Sequence, residues 1–358
     1  MVAEPWRTPH PQVYGEPERA TGRPVVAGAA DPRRPTRAPE EPVLPPLTRR
    51  SLLAAAATCL LAGCASGSRD AAPGERLVTL DGAAAALALM TGLPQVGTAS
   101  FLSADPLLQA IGELQAEPVV DVSGAGGAID VERLATLRPG VVVGYRFPGA
   151  EPVPDGLATV HAVERTGDLD ADCRALAAGM GVGVAVDELL ADVHRRTGEL
   201  AARLREVRVP TVSVLSPGLD GQSLYVLGTQ TPAGAVVEAL GLARPAAQRG
   251  VAEPFVAVST ERLTEHDADL VLLLTGPTAD PAFLRSEPLW ERLGAVRAGR
   301  VVEVDVMRWA MMSCALGSLW VLDDLAATLV DGAGPVIGAA SPTGLERLRG
   351  YRARYARA

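Results

Sequence analysis

Between residues 186 and 207, mostly apolar side chains recur at Val186, Leu189, Leu190, Val193, Thr197, Leu200, Leu204 and Val207. Steps of three and four put them on one face of an α-helix. The run predicts an amphipathic rod of roughly twenty residues, about 30 Å long at 1.5 Å per residue. Pro210, which lacks an amide proton, marks its end. Such a rod, with patterned chain on both sides, fixes a distance between two halves.

Each half alternates strand and helix signals. Before the rod, Arg76–Leu80 reads as a strand and Ala83–Met90 as a helix that Gly92 can end. Asp130–Leu137 reads as a helix, Pro139-Gly140 breaks the chain, and Val141–Gly144 is an unbroken apolar run. A strand buried on both faces has that character. After the rod, strands are predicted at Thr211–Leu215, Leu224–Leu227, Leu270–Leu274 and Val301–Val304. Helices are predicted at Ala233–Leu240, Thr260–His266, Pro288–Ala295 and Ala315–Leu329. The expectation is an α/β fold of two parallel-sheet lobes joined by one long helix, with a ligand cleft between them. The expected boundaries are 76–168 for the N-terminal lobe, 169–208 for the connecting helical region, 209–331 for the C-terminal lobe and 332–358 for a tail. The Arg-rich tail, with Leu345, Leu348 and Tyr351, is expected to be a solvated helix.

The segment before residue 76 reads as an address. Residues 1–47 are rich in Pro, Arg and Glu without apolar periodicity, and are expected to be disordered. Residues 48–64 begin with Arg49-Arg50, continue through about a dozen small or apolar residues and stop at Leu61-Ala62-Gly63-Cys64. That order makes a lipoprotein signal, with Cys64 as the lipidated residue. The core is too short to span a bilayer, which needs about 20 apolar residues. Two acyl chains on Cys64 would hold the protein stably on the outer face of the cell membrane. The twin arginines fit twin-arginine or general secretory export. Residues 65–75 are a polar tether. A compact signal would result if translation starts near Val43 or Leu44.

A net charge of −9 opposes nucleic-acid binding, which needs a basic face. His161, His194 and His266 are far apart, so a direct metal-ion site is not indicated. No G-x-S-x-G elbow, P-loop or dinucleotide fingerprint follows a predicted strand, which speaks against an enzyme. Aromatic residues make up only 4%, so those near strand ends stand out. Ligands of parallel α/β sheets bind beyond the carboxyl ends of strands. Tyr145, Arg146 and Phe147 occupy that place after Val141–Gly144, and Arg308-Trp309 follows Val301–Val304 beside Met311-Met312. A ring beside a guanidinium suits a flat, anionic, oxygen-rich ligand. Tyr225, Phe255 and Arg244 are further candidates, whereas Trp290 reads as structural. Cys173 and Cys314 are expected not to pair.

Three stretches carry a resemblance. They are Asp121-Val-Ser-Gly…Asp130-Val-Glu-Arg-Leu-Ala-Thr-Leu-Arg-Pro139, Val258-Ser-Thr-Glu-Arg-Leu263 with Asp267–Leu273, and Glu287-Pro-Leu-Trp-Glu-Arg-Leu-Gly-Ala-Val-Arg-Ala-Gly-Arg-Val-Val302. Together, over roughly residues 76–331, the chain resembles substrate-binding proteins of iron-siderophore and cobalamin ABC importers. It departs at Gly140, where the family usually has Asp, and at Ala86, where a Glu is common. The resemblance implies a ferric siderophore as ligand, an ABC permease and its ATPase as partners, a monomer, no catalysis and no cofactor. Haem, with Tyr145 as a conceivable ligand, cobalamin, or a surface sensor or adhesion role stay open on the same architecture. By the same resemblance, Glu151 and Glu261 are candidates to meet permease arginines, one from each lobe.

Overall fold

The first lobe is built by β1 (Leu77–Thr79), α1 (Gly82–Thr91), β2 (Gln95–Thr98), α2 (Leu107–Leu114), β3 (Val120–Asp121), α3 (Val131–Thr136), β4 (Val141–Tyr145) and β5 (Thr159–Val163). The computed structural model describes residues 76–99, 105–124, 128–147, 152–218, 220–276 and 279–356. The signal, Cys64, the tether and Glu151 lie outside the described residues. The strands pair in the order β3-β2-β1-β4-β5, all parallel. Neighbours of β1 thus leave in opposite directions, and β1/β4 is the point where strand order reverses. Crevices form there, beyond the carboxyl ends.

Asp81 starts α1 by accepting the amides of Ala83 and Ala84, and Gly92, at φ 75°, ends it. Ala83 through Thr91 are all buried. Small side chains let this helix be enclosed all round, with the sheet on one side and later helices on the others.

Next come α4 (Leu169–Met180) and α5 (Gly183–Leu204). The latter is the expected rod, 22 residues and therefore about 33 Å long. Val186, Leu189, Leu190, Val193, Leu200 and Leu204 form its buried face. Val207 falls past the end and is 40% exposed.

The second lobe contains β6 (Val212–Pro217), β7 (Leu224–Leu227), α6 (Pro232–Ala239), β8 (Phe255–Val258), β9 (Leu270–Thr275), α7 (Ala282–Ser286), α8 (Gly294–Arg297) and β10 (Val301–Asp305). Its order is β10-β9-β6-β7-β8. Here the expectation of a second parallel sheet is corrected. β10, β9 and β6 run parallel, but β6–β7 and β7–β8 are antiparallel. The β6–β7 link is too short for a crossover, and Asp220 turns it by accepting the amides of Gln222 and Ser223. The helix expected at Pro288–Ala295 is split into a turn at Trp290–Arg292 and α8, whose first amides are taken by the Asp267 carboxylate. Trp290 is buried in this lobe's own core.

Beyond β10 the chain makes a π-helical turn at Met307–Met311, then α9 (Ala315–Ala326) and a second π-helical turn at Ala327–Asp331. The terminal helix α10 (Pro342–Tyr355) is not the solvated tail expected. Leu345, Leu348 and Tyr351 are buried, Arg347 stacks over Trp320 at 4.7 Å, and Arg352 bonds the Leu114 carbonyl of the first lobe. The chain therefore ends by returning to the lobe where its described part begins.

Candidate functional site

The reversal point of the first sheet opens into a cleft shared by both lobes. Asp81, Gly82, Ala83, Asp105, Tyr145, Phe147 and Arg165 line it from one side, and Phe255, Met307 and Ala310–Ser313 from the other. The cavity volume is ≈ 100 Å³.

The first-lobe wall follows from strand geometry. Tyr145 is the last residue of β4, and its amide is held by Asp81 Oδ2 at 2.6 Å. Gly144 makes that approach feasible, because a Cβ there would lie 2.6 Å from Leu80 Cβ and 2.9 Å from Asp81 Oδ2. Asp81 thus ties the start of α1 to the end of β4. Burial pushes its carboxyl above the usual range, against the lowering effect of the Ala84, Tyr145 and Ala83 amides. Two residues past β5, the Arg165 guanidinium stands 5.5 Å from the centre of the Tyr145 ring. Across the cleft, the Tyr145 hydroxyl donates to the Ser313 carbonyl at 2.9 Å. Arg165 donates to Ser313 Oγ at 2.7 Å and to the Gln230 carbonyl at 3.4 Å. Burial, then the nearby Cys173 thiol, pushes the Tyr145 phenol far above its ordinary value, so it stays protonated.

The second-lobe wall corrects an expectation. Arg308 and Trp309 do not face the cleft; both are fully buried. Asp305 is the reason. Its Oδ1 accepts the amides of Met307 and Arg308 at 2.8 and 3.1 Å, which starts a helical turn directly at the strand end. On such a turn Met307, Ala310 and Met311 share one face, and residues 308 and 309 point the other way. Trp309 donates through Nε1 to Asp324 at 2.8 Å. Arg308 meets Asp105 of the first lobe at 2.5 Å, while its Nε and Nη1 find no partner among the described residues.

Other candidates divide similarly. Phe147 and Phe255 line the cleft. Tyr225 is not among the lining residues; it backs Phe255 edge-on, with centroids 6.0 Å apart. Arg146 points away from Tyr145, as alternate residues do, and pairs with exposed Glu164 at 2.6 Å. Arg244 is buried and spans the Leu227 carbonyl and Gln248. Glu261 is exposed in the first turn after Ser259, which accepts its amide. Arg165 is not signalled by the sequence, because β5 is a short, largely exposed edge strand without a buried apolar run. Among the described residues no cluster of three or more His, Cys, Asp or Glu could hold a metal.

Residues 78–306 match the family model described as periplasmic binding protein. A probable siderophore-binding lipoprotein of Bacillus subtilis, YfiY, is 26% identical over 281 residues, 73% of this chain and 85% of its own length. An achromobactin-binding periplasmic protein of Dickeya dadantii is 26% identical over 275 residues, 70% of this chain and 85% of that protein. Among solved structures, a FhuD-fold binding component of a Fep/Fec-like ferrichrome ABC transporter from Bacillus subtilis superposes with a TM-score of 0.60 at 17% identity. It covers 74% of this chain and 97% of the other. The two-lobed fold is thus shared, its function is binding rather than catalysis, and this chain belongs to the periplasmic binding protein family.

Proposed function

We propose that the chain captures a ferric siderophore in the cleft and delivers it to an ABC permease driven by an ATPase. The observation that carries this is the composition of the cleft: Tyr145, Phe147, Phe255 and Met311 surround one cation, Arg165. An iron chelate of this class offers apolar flanks and anionic oxygens. Rings and thioether take the flanks, and the guanidinium takes the oxygens. The cleft is open and its ≈ 100 Å³ is below the roughly 300–1,000 Å³ of drug-sized sites, so the chelate sits partly outside the walls. The names of the relatives above agree with this ligand class. Haem on Tyr145 is disfavoured, since its hydroxyl is donated to Ser313 and burial opposes the phenolate.

Delivery fits anchoring at Cys64 after export, with Glu151 and Glu261 meeting permease arginines from the two lobes. Calorimetric titration with ferric desferrioxamine B, ferric citrate, a ferric catecholate, haem and cobalamin tests the ligand. A ferric siderophore should bind at micromolar affinity or tighter, and Arg165→Ala should weaken it tenfold or more. Binding of haem or cobalamin alone would overturn the reading. Charge reversal at Glu151 and Glu261 together should abolish uptake and leave ligand affinity unchanged.

A further inference from the structure

Two thiols that ligand capture does not use lie directly behind the cleft wall. Cys173 is in α4, which packs on the first-lobe sheet, and Cys314 lies between the Met307–Met311 turn and α9. They are 1% and 0% exposed, and in the structure both are free thiols, as the sequence leads one to expect. Cys173 Sγ accepts the amide of Ala315, the neighbour of Cys314, at 3.2 Å. With standard bond lengths this contact keeps the two Cα atoms within about 8 Å. A disulfide spans roughly 4.4–6.8 Å between Cα atoms, so pairing needs at most a small backbone shift. Cys314 is the extended N-cap residue of α9, at φ −155° and ψ 176°. Burial and then the neighbouring Cys314 raise the Cys173 thiol, and both cysteines help to raise the Tyr145 phenol.

We infer that Cys173 and Cys314 form a disulfide as the chain folds in an oxidising compartment, stapling α4 of the first lobe to the cleft wall of the second. Its physiological setting rests on the export reading above; the pairing itself does not. Two S–H bonds are lost and one S–S bond forms. The two electrons and two protons reduce an oxidising disulfide to two thiols, that disulfide being glutathione's in vitro or an oxidoreductase's in the exported compartment. Exchange runs through the thiolate. Burial raises both thiols, Cys314 to about 12, so the bond forms before the core closes and resists reduction afterwards. Ser313, which holds both Tyr145 and Arg165, is the residue next to Cys314, so the staple fixes the wall that these two side chains grip.

The test refolds the full chain in a glutathione redox buffer, alkylates it under denaturing, non-reducing conditions and digests it with trypsin. The expected product is a linked peptide pair containing Cys173 and Cys314, with neither thiol alkylated. The thermal midpoint should exceed that of protein refolded under reductant, and this difference should vanish in both Cys173→Ser and Cys314→Ser. Cys173→Ala and Cys314→Ala replace any serine variant that fails to fold. Alkylation of both residues, or their linkage to Cys59 or Cys64 instead, overturns the inference. Failure of every siderophore to bind a crosslinked protein would sink the proposed ligand and leave the crosslink standing.

Discussion

The two walls of the cleft follow the same rule of position and give opposite results. Each lies just beyond the carboxyl end of a parallel strand. After β4 the chain stays extended, so Tyr145 faces the cleft and Arg146 faces away. After β10 a carboxylate at the strand end, Asp305, captures two amides and starts a helical turn at once. Arg308 and Trp309 are thereby rotated into the core, and Met307, Ala310 and Met311 line the cleft instead. Position relative to a strand end names the wall. The local backbone decides which side chains compose it.

The largest effect that sharpens this contrast is expected at Trp309. Trp309→Ala should destabilise the protein by about 3–5 kcal/mol, as large aromatic truncations in cores do. It also strips one of the three donors, with Val336 and Arg347, that satisfy the buried Asp324 carboxylate. Met311→Ala, two residues on and only partly buried, should cost well under half of that yet weaken siderophore binding. Urea unfolding compared with ligand titration separates the two. A Trp309 variant of native stability with lost binding would return Trp309 to the cleft.

Next in size is the pair that crosses between the lobes. Arg308→Met leaves the Asp105 carboxylate buried without its cation, which should cost about 3–5 kcal/mol. The pair itself is poorly satisfied, since two guanidinium nitrogens find no partner among the described residues. Replacing both residues, Arg308→Met with Asp105→Leu, should therefore recover most of the loss. Additive losses in that double-mutant cycle would mean the two residues do not act on each other.

How much of this was legible in the sequence follows from which signals are periodic. The rod α5 and the strand β4 were found because their apolar patterns are long or unbroken. β2 was not, because its interior is polar: Thr79 donates to Gln95 Oε1 at 2.8 Å, and Gln95 donates to the Ala85 carbonyl at 3.2 Å. A buried strand held by amide and hydroxyl bonds has no apolar alternation to detect. β5 was missed as an exposed edge strand, and Arg165, two residues past its end, was missed with it. The antiparallel hairpin of the second lobe had a readable cue in the short Asp220-containing link. The burial of α10 had only a weak cue, the spacing of Leu345, Leu348 and Tyr351 among many Arg, because its partners lie in residues far away in sequence, Asp323 and Leu114 among them.

A moderate effect is expected where the walls touch. Tyr145→Phe removes the hydroxyl donated to the Ser313 carbonyl, a loss of about 1 kcal/mol in stability. The ring and its guanidinium neighbour stay, so ligand affinity should change less than in Arg165→Ala. If Tyr145→Phe abolishes binding altogether, the hydroxyl touches the ligand and the bond to Ser313 is given up on capture.

The smallest effect lies away from the cleft and contrasts the polar core of the second lobe with its walls. His266 is buried, and its Nδ1 faces the Gln248 side-chain nitrogen at 3.4 Å. That amide also donates to Ser213 Oγ at 2.7 Å, and its oxygen accepts from Val214 and Arg244. A proton on Nδ1 would oppose an amide donor. Burial lowers the His266 pKa, the nearby Arg262 and Arg244 lower it further, and Glu265 opposes them. The unfolded chain therefore takes up this proton first. The stability contributed by neutral His266 is complete above the unfolded value near 6.5 and is lost as pH falls through the lower folded value. Between pH 7 and pH 5 the urea midpoint of the native protein should fall more than that of His266→Gln, which keeps an acceptor for Gln248 and cannot titrate. Parallel pH profiles for the two proteins would show that the imidazole is protonated as readily in the folded core as in the unfolded chain, and the burial argument for this network would fail.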